Sequence, residues 1–294
     1  MKRFRRLGVF MHDSPADDEA LAFASRFAEL AESESVLCVH VRESGEAEAE
    51  VPDVEEFQQR MLKQLPPAVA QRTKVEWHTG TGIPEILRCA RDLELDLIVV
   101  GRRLPSEQLG IGSAFSRLAR KAPCNVLVVP NQVRTHLSRL LVPVDFSRHS
   151  RLAFEQALAI ARASGDPHPQ VVVQSVYSVG YGYKKFGISL HEAGQKLEAV
   201  THEKLAEFVQ DVDTTGVEFD TVCTCAEQIH LAILDLAAVR KMDMILVGSR
   251  GLSGPAATLL GSQAERLLVA AAVPVLVVKE KGETTHLLNA LLGA

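Results

Sequence analysis

Apolar residues fall along this chain in two ways. Short continuous runs such as Leu97-Ile98-Val99-Val100 and Val275-Leu276-Val277-Val278 have strand length and no alternation, as in strands covered on both faces. Between them lie stretches with helical spacing, such as Ala264, Leu267, Leu268 and Ala271. This patterning predicts strands at 5–12, 35–42, 74–79, 96–101 and 125–130, with helices at 16–33, 53–71, 83–94 and 113–121. It then predicts strands at 139–145, 170–177, 217–222, 243–248 and 274–279, with helices at 149–164, 188–211, 228–240 and 262–271. Alternation of strand and helix implies an α/β fold with a doubly wound parallel sheet, whose ligands bind beyond the strand carboxyl ends.

The two halves repeat one another. Asp96-Leu97-Ile98-Val99-Val100-Gly101-Arg102-Arg103 matches Asp243-Met244-Ile245-Leu246-Val247-Gly248-Ser249-Arg250. Gly112-Ser113 and Arg117-Leu118 match Gly261-Ser262 and Arg266-Leu267, and Arg6 through His12 matches Arg139 through Asp145. Each half therefore reads as one domain, 1–132 and 138–280, joined by a polar linker at 131–138 and followed by a tail at 281–294.

Composition narrows the function. A hydrophobic content of 47% and a charged content of 23% suit a soluble globular protein, and 294 residues are enough for two domains. The net charge of −5 gives no electrostatic footprint for nucleic acid or an anionic membrane. No apolar run is long enough to span a bilayer, and the basic start at Lys2–Arg6 leads into a strand rather than a signal core. A cytoplasmic location is expected. The cysteines, Cys38, Cys89, Cys124, Cys223 and Cys225, show no zinc-ligand spacing and read as reduced buried thiols. No metal motif and no catalytic Ser/His/Asp or Cys/His set can be assembled by spacing, so the expected lists of metal ligands and catalytic residues are empty.

The chemistry concentrates at Val247-Gly248-Ser249-Arg250-Gly251, which runs on to Gly261-Ser262. The order is strand, glycine loop, helix. Gly248 stands where a strand ends, and a missing Cβ lets a ligand approach the backbone. Gly261-Ser262 stands where a helix begins, and first-turn amides with the positive end of the dipole favour an anion. The spacing is neither that of a Walker lysine loop nor G-x-G-x-x-G. An ordinary turn with Ser262 as N-cap explains the loop alone slightly better.

With the opening Val142-Pro143-Val144-Asp145-Phe146-Ser147 and the closing Val-Pro-Val-Leu-Val-Val strand, the chain resembles a tandem universal stress protein over nearly all of both halves. The family's nucleotide motif is Gly, two residues, Gly, nine residues, Gly, then Ser or Thr. Gly248, Gly251, Gly261 and Ser262 supply it in full. The resemblance implies two five-stranded sheets of order 3-2-1-4-5, Rossmann-like and of the adenine nucleotide alpha hydrolase-like kind. The implied ligand is ATP or AMP, with or without Mg²⁺. In this resemblance Asp145 lies by the ribose and adenine, Pro143 and Val144 line the base pocket, and Val176 offers its backbone to adenine. Val247 and Gly248 approach base and sugar, while Gly251, Gly261, Ser262 and the amide of Gln263 hold phosphates. Arg250 could add charge, although a loop arginine is more often solvated. The closing strands of the two halves are expected to pair as an intramolecular pseudo-dimer. The tail stripe at 287–292 would pack on its own chain or on a second copy, leaving a homodimer of chains open.

The first half departs from the motif. Leu104 replaces the second glycine, His12 stands in the place of Asp145, and the loop from Gly101 to Gly112 is two residues shorter than that from Gly248 to Gly261. Weak or no ATP binding is expected there, and Arg102 and Arg103 read as a solvated pair. His40 reads as a packing residue, and His149 as either a phosphate neighbour or a member of a capping turn. The expected function is a stress-response or signalling module that binds nucleotide through its second half, with turnover slow or absent. The alternatives are a slow ATPase using Asp145 or His149, and a nucleotide-free scaffold.

Overall fold

All ten expected strands form, and they lie in one sheet. The computed structural model describes residues 4–11, 16–43, 54–80, 82–102, 114–180, 189–251 and 260–280. In chain order the first half runs β1 (Arg6–Met11), α1 (Asp17–Leu30), β2 (Ser35–Glu43), α2 (Val54–Lys63), α3 (Pro67–Ala70), β3 (Thr73–Gly80), α4 (Gly82–Asp92), β4 (Leu97–Arg102), α5 (Ala114–Lys121) and β5 (Asn125–Pro130). The second runs β6 (Arg139–Val144), α6 (Arg148–Ala163), β7 (Gln170–Tyr177), α7 (Leu190–Gln210), β8 (Glu218–Cys225), α8 (Ile229–Val239), β9 (Met244–Gly248), α9 (Ser262–Ala270) and β10 (Val275–Val278).

The sheet order is β3-β2-β1-β4-β5-β10-β9-β6-β7-β8. Each half keeps the expected 3-2-1-4-5 order, all parallel. The expectation of two separate sheets is corrected, because β5 and β10 pair antiparallel, Val128 opposite Val275 and Val126 opposite Val277, and fuse them into one. The continuously apolar strands follow from this placement. Alternate residues of one strand feed two cores on opposite faces: Leu97 and Val99 pack with Phe23, Phe27 and Phe154 of α1 and α6. Ile98 and Val100 pack with Ile86, Leu118, Ile233 and Leu267 of α4, α5, α8 and α9. His40 is buried and stacked on Trp77, with ring centroids 3.9 Å apart.

The helix expected over 53–71 is broken. Pro66 is extended (φ −54°, ψ 144°), and Pro67 opens the short α3. A residue preceding proline is held out of the helical region, and proline itself suits a first helical turn. No helix among the described residues is long and apolar enough to cross a membrane.

The halves differ where β1 and β6 meet their inner neighbours. β1 pairs with β4 through four positions, Leu7 to Phe10. β6 pairs with β9 through Leu140 and Leu141 and stops there. The repeat places Pro143 at the position of Phe10, and proline cannot supply a ladder donor. In the second half the paired register between these two strands therefore stops two residues earlier than in the first.

Candidate functional site

A cavity of about 710 Å³ lies at the carboxyl ends of the central strands of the second half, beyond the last β6–β9 pair. Pro143, Val144, Asp145, Val176, Val247, Gly248, Gly251, Gly261, Ser262 and Gln263 all line it. The ten residues singled out from the sequence thus come together in one place.

Local backbone geometry aims the acid. Phe146 adopts φ 67°, a left-handed conformation that a phenylalanine rarely takes. Its ring packs edge to face on Phe208, with centroids 5.8 Å apart. The kink turns the chain between Asp145 and α6. The Ser147 N–H donates to Asp145 Oδ1 at 3.1 Å, and Ser147 itself caps α6 by accepting from the Ser150 N–H at 3.2 Å. Asp145 is therefore not the helix cap, and its carboxylate lies against the glycine loop. A Cβ at Gly251 would fall 2.4 Å from Asp145 Oδ2, so only glycine lets the acid keep this position.

The other glycines act differently from one another. A Cβ at Gly248 would lie 2.7 Å from the His149 carbonyl carbon and 2.8 Å from its Cβ. This glycine makes room for the first turn of α6, beyond the role in ligand approach expected from the sequence. Gly101 does the same in the first half, where a Cβ would meet the Ala16 carbonyl oxygen at 2.4 Å. At Gly261 the nearest atom to such a Cβ among the described residues is 3.7 Å away, so none of them opposes a small side chain there.

The mouth of the loop is pinned. The Gly261 N–H donates to the Ser249 carbonyl at 2.7 Å, and the Ser249 N–H donates to Val278 at 3.0 Å. Gly261, extended at φ −71° and ψ 147°, is the N-cap residue of α9, and Ser262 is its first helical residue. Ser262 as cap is thereby corrected. The first intrahelical bond runs from the Glu265 N–H to the Gly261 carbonyl at 3.0 Å. The amides of Ser262, Gln263 and Ala264 precede it, and Gly261 has no side chain with which to cap them. All three residues line the cavity.

Further polar groups join them. Arg250 is half-buried, and its Nε donates to His149 Nε2 at 3.4 Å. Burial, and then the Arg250 charge, push the His149 pKa down, so the ring meets the cavity neutral near pH 7. Gln174 was not singled out from the sequence. It is fully buried in β7 and lines the cavity. Its Nε2 donates to Thr224 Oγ1 at 3.0 Å and to the Ala232 carbonyl at 3.2 Å, which leaves Oε1 as a buried acceptor without a partner. The Gln263 Oε1 is likewise buried and without a partner. The signal for Gln174 was present as the one amide in the apolar run of residues 171–176. His12, Arg103, Leu104, Gly112 and Ser113, which carry the contrast with the first half, lie outside the described residues, as does the tail.

A doubly wound sheet with a glycine-lined crevice at the carboxyl ends of the first and fourth strands of one half defines a Rossmann-like α/β fold. The model of the universal stress protein family matches residues 3–130 and again 136–279. The chain belongs to that family and carries two copies of its domain. A curated Thermus aquaticus relative, described as a universal stress protein in the QAH/OAS sulfhydrylase 3′ region, is 28% identical over 141 residues, covering 48% of this chain and 97% of its own. Solved structures agree on the fold. A universal stress protein from Archaeoglobus fulgidus superposes with a TM-score of 0.61 at 18% identity, over 94% of this chain and 99% of that one. A functionally unknown protein from Pseudomonas aeruginosa gives 0.62 at 16% identity, over 100% of this chain and 99% of that one.

Proposed function

We propose that this stress protein binds ATP or AMP in the cavity of its second half and works as a nucleotide-responsive module with slow or absent turnover. One observation carries the reading: the first turn of α9, which no side chain caps at Gly261, and a glycine-held carboxylate, Asp145, line the same cavity. The amides and helix dipole suit phosphates. The carboxylate suits ribose hydroxyls or an amine. The unpaired Oε1 of Gln174 adds an acceptor suited to the exocyclic amine of adenine, whereas guanine presents a carbonyl at that ring position.

Calorimetry on the purified chain with ATP, AMP and GTP tests this. ATP or AMP should bind, and Gly261→Val should abolish binding by filling the phosphate space. Undiminished affinity in that variant would defeat the assignment. Gly112→Val should leave binding near normal; a large loss there would mean that the first half also holds nucleotide. The neutral His149 at the cavity favours one second reading, slow hydrolysis with His149 or Asp145 placing a water. Phosphate release that is measurable in the wild type and lost in Asp145→Ala even at saturating ATP would select it.

A further inference from the structure

The first half lacks the glycine motif but holds a cluster that has no counterpart among the described residues of the second half. His78 near the end of β3 faces two residues one turn apart on α4. His78 Nδ1 lies 2.5 Å from Glu85 Oε1 and 3.5 Å from Cys89 Sγ, and that sulfur lies 3.9 Å from the same carboxylate oxygen. The three donor atoms lie within 4.8 Å of one another. Cys89 is 3% exposed, and the side chains of His78 and Glu85 are 19% and 13% exposed. The far ring nitrogen, His78 Nε2, lies 2.9 Å from Glu76 Oε2.

We propose that His78 Nδ1, Glu85 Oε1 and Cys89 Sγ form a binding site for a zinc-class dication, with Glu76 fixing the imidazole from behind. Imidazole, thiolate and carboxylate are the three ligand types that zinc takes, and three of them on a fold leave a fourth position for water. A carboxylate on the far nitrogen of a metal-bound histidine is the usual orienting contact. The expectation that the chain has no metal ligand is replaced by this reading; the spacing of His78, Glu85 and Cys89 matches no common motif, and only the β3–α4 turn brings them together.

The charges close. On binding, the Cys89 thiol releases its proton to solvent. The thiolate and the Glu85 carboxylate then balance the dication, while Lys74 Nζ, 2.5 Å from Glu76 Oε1, balances the second carboxylate. Arg88 holds Glu85 through both oxygens. Its side chain is 54% exposed, with Asp92 3.5 Å away, so it can leave Oε1 to the metal and keep its bond to Oε2.

The repeat supplies an internal contrast. β2–β3 register sets Val41 opposite His78, and β7–β8 register sets Val176 opposite Thr224. The buried pairs Ile86, Ala90 and Ile233, Ala237 align α4 with α8, two helices of equal length. Thr224, Ala232 and Leu236 therefore stand where His78, Glu85 and Cys89 stand in the first half. Neither the alanine nor the leucine can ligate a metal.

The test uses the full chain without a polyhistidine tag, with Co²⁺ as the spectroscopic probe and Zn²⁺ as competitor. One Co²⁺ should bind per chain with a thiolate-to-cobalt charge-transfer band, and Zn²⁺ should displace it. Cys89→Ser should remove the band and weaken Zn²⁺ binding by about 100-fold. Cys223→Ser/Cys225→Ser should keep both. Glu76→Gln, which leaves all three ligands, should retain the band and weaken binding by about 10-fold. If Cys89→Ser does not fold, Glu85→Gln carries the test, with the band kept and affinity lowered. The wild type showing no charge-transfer band, a band surviving in Cys89→Ser, Glu85→Gln binding as tightly as wild type, or a band lost in the Cys223/Cys225 variant would each overturn the proposal.

Discussion

Arg102, at the end of β4, donates through Nη1 to the Val269 carbonyl at 2.6 Å, across the boundary between the two halves. Its Nη2 donates to the Ala271 carbonyl. The sequence presents this arginine as half of a solvated pair; the structure buries it at 2% exposure, and burial pushes its pKa down to about 10. A guanidinium on the last carbonyls of α9 complements the negative end of that helix. Arg102→Ala would leave those carbonyls without their charged donor and open a void, so a loss of about 3 kcal/mol is expected. A shift of the urea midpoint measures it, and an unchanged midpoint would show that water replaces the side chain at no cost.

Lys279 does the reciprocal work. It is 8% exposed, and its Nζ donates to the Ala122 carbonyl at 2.6 Å and to Arg120 at 3.4 Å, at the end of α5. Burial pushes its pKa from 10.5 down to about 8. Between these values the unfolded chain binds the proton and the folded chain has lost it, so this residue makes stability rise with pH, by up to about 1.4 kcal/mol per unit. The thiols of Cys38 and Cys89, pushed up to about 12 and about 11 by burial, oppose the rise above pH 9. They are common to wild type and Lys279→Met, so the difference between the two proteins, followed by denaturation from pH 7 to 10.5, should isolate the lysine. A pH-independent difference would show that Lys279 titrates as it does in the unfolded chain.

Two glycines of the same motif should separate stability from binding. Gly248→Ala presses a methyl group into the backbone of His149 and should cost about 1–3 kcal/mol. Gly261→Ala meets nothing closer than 3.7 Å among the described residues, so its thermal midpoint should match wild type while ATP affinity falls. A destabilised Gly261→Ala or an unperturbed Gly248→Ala would reverse these roles.

Gly251 and Asp145 should be coupled. A methyl group at Gly251 displaces the carboxylate, a flexible end that moves at little cost in stability. Gly251→Ala should therefore weaken ATP binding about as much as Asp145→Ala, and the double variant should be no weaker than Asp145→Ala alone. Additive losses in this double-mutant cycle would mean that Gly251 contacts the ligand independently of the acid.

Much of this was legible in the sequence, for identifiable reasons. Unbroken apolar runs gave the strands because both sheet faces are covered, and Pro143 with Gly248, Gly251 and Gly261 marked where backbone would be irregular. What stayed hidden depends on partners distant in sequence. Gln174 gains its role from Thr224 and Ala232 across the β7–β8 register and α8. Arg102 is buried because β5 and β10 pair, which brings the end of α9 over it. Gly248 lines the cavity, and its second reason for being glycine, the close packing of α6 at His149, depends on a partner distant in sequence. The break at Pro66-Pro67 was written in the chain and overruled by the apolar spacing around it.

The antiparallel seam between β5 and β10 has a directional consequence. Because every strand of the first half runs opposite to every strand of the second, the carboxyl rims of the two halves look out from opposite ends of the ten-stranded sheet. The thiol–imidazole–carboxylate cluster beside α4 and the cavity beside α9 therefore face away from each other. Whatever occupies one cannot touch whatever occupies the other, and communication between them has to pass through the contacts between the halves, with Arg102, Lys279 and the Arg120–Glu265 pair among the polar ties.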